Sequence, residues 1–168
     1  LIEKKRAEAT LNAYQAEYSE AISNTKQAQN ELAAATANAK DATDNYNEAV
    51  EKQKSLQTEY NDLMRQYEAD GTNDAIRQQL YDLQDQMIVN GETIDGLKAH
   101  MDENNQTMET ARQVLESYNT AVANYEGVAA AVISGDQAKI SESLTLLTND
   151  FQSAETSTRE SLEAQCET

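Results

Sequence analysis

The stretch that decides the fold is residues 53–90, which read QKSLQTEYNDLMRQYEADGTNDAIRQQLYDLQDQMIVN. In it the less polar positions advance by alternating steps of three and four, first over residues 53–67 and again over residues 76–90. Such a heptad pattern is typical of helices that bury one stripe against a neighbouring helix. The two runs therefore predict two helices with a connection between them.

The connection is Asp70-Gly71-Thr72-Asn73. Gly71 is predicted to take the left-handed conformation after the first helix, and Thr72 or Asn73 to cap the second helix. Because only four residues separate the helices, they are expected to be antiparallel neighbours.

Outward from the turn, both stripes continue without a slip. The first contains Leu11, Tyr14, Tyr18, Ala21, Thr25, Ala28, Leu32, Ala35, Ala39, Ala42, Tyr46, Ala49, Gln53, Leu56, Tyr60, Leu63 and Tyr67. The second contains Ile76, Leu80, Leu83, Met87, Asn90, Ile94, Leu97, Met101, Asn104, Met108, Ala111, Leu115, Tyr118, Val122 and Tyr125. Folding the chain at Gly71 pairs positions whose numbers sum to 143, so that Gln53 lies opposite Asn90 and Tyr18 opposite Tyr125. In this register small residues face large ones, and a buried polar pair fixes the alignment at some cost in stability.

The fold class predicted from these patterns is all-α: a long antiparallel two-helix coiled-coil hairpin with two or three short helices packed at its open end. Residues 1–126 are predicted to form the hairpin, with its turn at 70–73, and residues 127–168 a short-helix region that folds back on the open end. A bend or local fraying is expected at Gly91 and Gly96, because glycine is unfavourable inside a helix.

The short-helix region is predicted from its own signals. Ser134-Gly135-Asp136 combines a helix stop with an N-cap. Ile140, Leu144, Leu147 and Phe151 then give an amphipathic helix, and a last helix is expected to start between Ser153 and Ser157.

The composition argues against an enzyme or a metal protein. The chain has 168 residues, a net charge of −17, one His and one Cys, and no Pro. His100 is interpreted as a solvated surface side chain, and the carboxylate pairs Asp41/Asp44 and Asp82/Asp85 as exposed helix faces. Zinc would need more His or Cys than this chain offers. We therefore predict no catalytic, metal-binding or cofactor-binding residues, and no cofactor.

Charge and hydropathy also limit the kinds of partner that are expected for this chain. No basic face is present to meet phosphates, so nucleic acid is not expected as a partner, and no apolar run is long enough to cross a membrane. Cys166 cannot form an intrachain disulfide. Because the chain begins without Met inside a predicted helix, it is interpreted as an internal fragment.

Ile22, Val50 and Met64 form an extra apolar flank on the first helix, which predicts contact with a partner.

The region after the second stripe resembles a known family. The residues that carry the likeness are Asn124-Tyr125-Glu126-Gly127, Val132-Ile133-Ser134-Gly135-Asp136, Phe151, and Ala154-Glu155-Thr156-Ser157-Thr158-Arg159-Glu160-Ser161-Leu162. They resemble a segment of the tail tape-measure proteins of tailed bacteriophages and of prophages in Gram-positive gut bacteria. The preceding Gln-, Asn- and Ala-rich region is similar to that family in style only.

The resemblance implies a structural protein of the virion tail that is present in the bacterial host cytoplasm during assembly. It implies a role in tail assembly and tail-length determination, with tail tube subunits, tail chaperones or self-association as the protein contacts. Two alternatives remain open: a coiled-coil spacer of a bacterial surface or secreted protein, and a helical protein-binding module. An enzyme is the reading with least support.

Overall fold

A computed structural model describes the chain at residues 2–147 and 149. The secondary structure in these residues is helical, and no strand occurs among them. Helix α1 spans Ile2–Ala13, α2 spans Gln15–Ala69 and α3 spans Asp74–Ser134. A shorter helix, α4, covers residues 137–147. Phe151, Cys166 and the helix predicted to start between Ser153 and Ser157 lie outside the described residues.

The packing forms two compact units. The first, which we call the turn unit, is Thr36–Gln106. The second, the terminal unit, takes its described residues from Leu1–Ala35 and Thr107–Thr168. The predicted domain boundary between residues 126 and 127 stays a prediction. Helix α3 continues across this position to Ser134, where the sequence pattern predicted a helix stop.

The two long helices pack against each other. Every position of the two predicted heptad stripes is buried or half-buried, whereas most of the charged positions between them are exposed. Ion pairs do not explain this packing: in the described part of the chain each one joins residues three or four positions apart on the same helix or at its cap. Such exposed pairs contribute only a few tenths of a kcal/mol each to a helix. The buried stripes are therefore what brings the helices together.

In the turn unit, polar side chains close the connection between α2 and α3. The Asn73 backbone N–H donates to the Asp70 carbonyl oxygen at 3.3 Å, and the Thr72 hydroxyl donates to the Asp70 carboxylate at 2.8 Å. The Asn73 side-chain oxygen accepts from the backbone N–H groups of Ala75 and Ile76, at 3.1 and 3.2 Å. Asn73 is thus the N-cap of α3, one of the two residues predicted for that role.

The predicted left-handed conformation of Gly71 is wrong. Gly135 is the glycine with a positive φ, at 72°. At the first turn the chain reverses through the hydrogen bonds of Asp70, so the backbone of Gly71 needs no left-handed geometry. At the second turn α3 ends at Ser134 and Gly135 takes the αL position that commonly follows a helix. Asp136 then caps α4 by accepting from the backbone N–H groups of Ala138 and Lys139, at 3.1 and 3.3 Å.

The bend or fraying expected at Gly91 and Gly96 does not interrupt the helix, since both residues are helical within α3. The opposite end of the chain is less regular. A single turn residue, Tyr14, separates α1 from α2, although its backbone N–H still donates to Thr10 at 3.0 Å and its carbonyl oxygen still accepts from Tyr18 at 2.9 Å. Helical hydrogen bonding therefore continues through Tyr14.

The core of the terminal unit joins α1, the end of α3 and α4. Its buried residues are Ala7, Val128, Ala131, Val132, Ile140 and Leu147. Leu11, Tyr14, Tyr125 and Leu144 pack against them as half-buried neighbours. Burying a side chain of the size of Ile140 or Leu147 stabilises a fold by about 1.5–3 kcal/mol. Ala7 was not predicted as core, although it continues the alternating steps from Tyr14 and Leu11 toward the N-terminus and could have been found that way.

Candidate functional site

The most specific polar contact between the long helices lies in the turn unit. Asn90 is 5% exposed, and its side-chain amide donates to the Gln53 side-chain oxygen at 2.9 Å. The same nitrogen donates to the backbone carbonyl oxygen of Ala49 at 3.0 Å. These are the two polar residues that the heptad register places opposite each other.

This polar layer has the properties of an alignment device. An amide buried without partners costs about 1–3 kcal/mol, so any shift of one helix along the other that separated Asn90 from Gln53 would carry that cost. In the described residues no buried side-chain nitrogen or oxygen lacks a hydrogen-bond partner. The layer therefore favours one register without leaving an unsatisfied group.

A second specific contact lies in the terminal unit. The rings of Tyr18 and Tyr125 stack with centroids 4.1 Å apart and planes inclined by 13°. The Tyr18 hydroxyl donates to the Glu126 carboxylate at 3.0 Å, and the Tyr125 hydroxyl donates to the Leu11 carbonyl oxygen at 3.0 Å. Tyr125 thereby ties α3 to the end of α1 through a side-chain to backbone bond.

The hydrogen bond with Glu126 also affects ionisation. It raises the pKa of Tyr18 above the ordinary value for tyrosine, and partial burial and the negative charge of Glu126 act in the same direction. The phenol is thus held in its neutral, proton-donating form.

The predicted partner-contact flank is not uniform. Ile22 is 47% exposed, whereas Val50 and Met64 are half-buried. Ile22 belongs to the terminal unit, and Val50 and Met64 belong to the turn unit. The flank thus offers one exposed apolar side chain, and the other two are already partly covered within their own unit.

The residues considered for catalysis and metal binding lie on solvated helix faces. His100, Asp41, Asp44, Asp82 and Asp85 are all exposed. Among the residues that the structure describes, no group of three His, Cys, Asp or Glu side chains is placed to hold a metal ion. Over the same residues, no helix has an apolar stretch long enough for a bilayer crossing.

Asp44 illustrates how these carboxylates are used. It forms an ion pair with Lys40 one turn away, and this contact raises the pKa of the lysine. The pair stabilises the helix that contains both residues.

Comparison of the chain with known protein families, with curated proteins and with solved structures finds no match.

Proposed function

We propose that α2 and α3 form an antiparallel coiled-coil hairpin whose role is structural. The observation that carries this is the contact between Asn90 and Gln53, which joins two helices at the positions required by the heptad register. The stack of Tyr18 on Tyr125 supports the same register independently. Two helices that bury matching stripes over many turns provide a stiff support, and they need no cleft or cofactor to do so.

Disulfide trapping tests the hairpin. With Cys166→Ser as background, the pair Ala42→Cys and Met101→Cys is in register, and Ala42→Cys with Ile94→Cys is displaced by one heptad. Cβ atoms must approach within about 3.5–4.5 Å for a disulfide to form, so the first pair should oxidise readily and the second should not. Non-reducing electrophoresis of the purified chain measures both. Equal cross-linking of the two pairs would rule out a single register.

We further propose that this hairpin is a segment of a phage tail tape-measure protein that acts in tail assembly and tail-length determination. The sequence likeness over residues 124–162 supports this assignment, and the structural role proposed for the helices is compatible with it. Tail tube subunits, tail chaperones or other copies of the chain would be its protein contacts. Its location would be the virion tail, reached from the bacterial host cytoplasm.

The tape-measure role is tested by deletions that keep the polar layer intact. Removing residues 43–49 together with residues 94–100 deletes one matched heptad from each helix and leaves Gln53 opposite Asn90. If the segment acts as a ruler with its helices extended, tails should shorten by about 10 Å for each heptad deleted from each helix. Electron microscopy of the assembled tails measures this. Tails of unchanged length would exclude a ruler function for this segment.

Two other functions are alternatives to this proposal. A coiled-coil spacer in a bacterial surface or secreted protein would use the same buried stripes. A signal peptide or wall anchor encoded in the same gene would favour the spacer, whereas neighbouring tail-tube genes would favour the tape-measure role. A helical protein-binding module would use the exposed side chain of Ile22. Self-association that depends on concentration and is lost on Ile22→Ser would support the binding module.

A further inference from the structure

Three large apolar side chains of α3 point away from the buried stripe. Tyr81 is 56% exposed, Ile88 58% and Val89 62%. Tyr81 and Ile88 are two helical turns apart and Val89 adjoins Ile88, so all three lie on one side of the helix. A single exposed apolar residue needs no explanation, but several on one helix face indicate a contact surface.

The same face is strongly acidic. Asp82, Asp85, Glu92 and Asp95 are exposed, and no Lys, Arg or His occurs from residue 78 to residue 97. We call these four carboxylates, together with Tyr81, Ile88 and Val89, the outer patch. It lies within the turn unit.

The basic residues on either side of the outer patch are bonded to other acids. Arg77 pairs with Asp74 at 2.7 Å, and Lys98 pairs with Asp102 at 2.9 Å. Within the described residues no Lys or Arg forms an ion pair with any of the outer patch's carboxylates Asp82, Asp85 or Glu92. The charges of Asp82, Asp85 and Glu92 are therefore not compensated by an ion pair within the described chain. The charge of Asp95, in contrast, attracts Lys98 and adds to the hydrogen bond and charge of Asp102 in raising the pKa of that lysine.

The facing stretch of α2 contains basic residues, and these pair with some of its acids. Glu51 pairs with Lys54 at 2.5 Å, and Asp62 pairs with Arg65 at 2.6 Å. The uncompensated carboxylates and the exposed apolar side chains thus coincide on α3. This combination requires a partner that offers cationic and apolar groups together.

We propose that the outer patch binds a cationic amphipathic helix of another protein. Apolar side chains on one stripe of that helix would pack on Tyr81, Ile88 and Val89, and Lys or Arg side chains beside the stripe would meet the carboxylates. A helix suits the outer patch because the backbone of α3 is already hydrogen-bonded internally, so recognition rests on a row of side chains along its axis. A second copy of the chain is disfavoured because each copy carries a charge of −17. The inference concerns only the surface of α3 and does not depend on a phage role.

The test uses the full 168-residue chain and a defined probe. The probe is a fluorescently labelled helical peptide of Leu and Lys with Leu on one face, and the reference peptides are a scrambled sequence of the same composition and a Leu/Glu counterpart. Fluorescence anisotropy should show that the chain binds the amphipathic Leu/Lys peptide in preference to both references. Binding should weaken as salt rises from about 50 to 300 mM, because salt screens exposed charges.

Two variants separate the apolar and the charged contributions. Replacing Tyr81, Ile88 and Val89 with Ser should raise the dissociation constant about tenfold, since aromatic and apolar anchors supply most of the affinity of such contacts. The matched control replaces the exposed side chains of Ile2, Ile133 and Leu146 with Ser and should bind like the parent chain. Neutralising the carboxylates with Asp82→Asn, Asp85→Asn, Glu92→Gln and Asp95→Asn should weaken binding more than Glu17→Gln, Glu20→Gln, Glu48→Gln and Glu68→Gln together.

Because all of these side chains are exposed, circular dichroism should show the helical content of each variant unchanged. Equal binding by the Ser variant and its control would overturn the inference, as would equal binding of the scrambled peptide. Self-association of the parent chain in sedimentation velocity, abolished by the Ser variant, would overturn it in favour of a second copy.

Discussion

The side-chain amide nitrogen of Asn90 lies 2.9 Å from the side-chain oxygen of Gln53, and the neighbouring positions of the two stripes are the apolar residues Ala49, Leu56, Met87 and Ile94. Asn90 contacts the Ala49 carbonyl oxygen as well, so one buried amide is held by two groups of α2. A contact of this kind is geometrically demanding, whereas apolar packing tolerates many small shifts. The alignment of the long helices near their turn is therefore specified by two side chains.

Replacing both members of this pair with Leu should stabilise the chain. Gln53→Leu with Asn90→Leu removes a buried polar layer and adds apolar burial, which we expect to raise the free energy of unfolding by about 1–2 kcal/mol. Gln53→Leu alone should lower it by about 1 kcal/mol, because Asn90 loses an acceptor. Urea unfolding followed by circular dichroism measures both. A double variant with a lower free energy of unfolding than the parent chain would show that the polar layer contributes stability as well as alignment.

Alanine at the two interior glycines of α3 should also be stabilising. A Cβ added at Gly91 or Gly96 would meet no atom within 4 Å outside the local helix backbone. Each substitution is expected to raise the free energy of unfolding by about 0.5–1 kcal/mol, because glycine pays a larger backbone entropy in a helix than alanine. Thermal unfolding of Gly91→Ala and Gly96→Ala checks this. Gly71→Ala, outside the helices, is the control, and a lower melting temperature for either helical variant would contradict the expectation.

Gly135 should respond in the opposite sense. Its φ of 72° is one that residues with a Cβ adopt at a cost, so Gly135→Ala should destabilise the chain by about 1 kcal/mol. Gly127→Ala is the matched comparison, since Gly127 lies inside α3 and a Cβ there also meets nothing within 4 Å. The two melting temperatures should move in opposite directions. A shift of both in the same direction would mean that backbone conformation does not govern these positions.

The cap of α4 predicts an acid-dependent stability. The backbone N–H of Lys139, with smaller contributions from the charge of Lys139 and the N–H of Ala138, lowers the pKa of Asp136 below its ordinary value. A carboxyl whose pKa is lower in the folded state contributes stability above the unfolded pKa, and this contribution is lost as pH falls through the folded pKa. The loss should begin below about pH 4.

Asp136→Asn isolates this contribution, because Asn is an equally good N-cap but does not titrate there. Melting temperatures of the parent chain and of the variant should be compared from neutral pH down to acid. The difference between them should shrink as the pH falls below about 4. A constant difference over that range would show that the cap does not depend on the charge of Asp136.

The sequence alone was sufficient where structure follows from local, periodic information. Heptad spacing identified the buried side of both long helices, including the opposed positions of Gln53 and Asn90. The stop and cap at Ser134-Gly135-Asp136 were equally readable, because a helix end depends on a few neighbouring residues. No local spacing predicts the outer patch, because its net charge depends on the ion pairs that the neighbouring basic residues form with other acids.

What the sequence by itself determined about this protein is its helical class and the face that each helix buries, because these depend on spacings of three and four residues. The tertiary structure decided which helices share a core. Only folding brings Ala7 together with Ile140 and Leu147, and only folding places the Tyr125 hydroxyl on the Leu11 carbonyl oxygen. The conformation of Gly71 was predicted wrongly for a local reason, because the hydrogen bonds of Asp70 turn the chain there without a left-handed residue. Contacts between residues far apart in the chain depend on shape and on competing hydrogen bonds, and no local spacing records them.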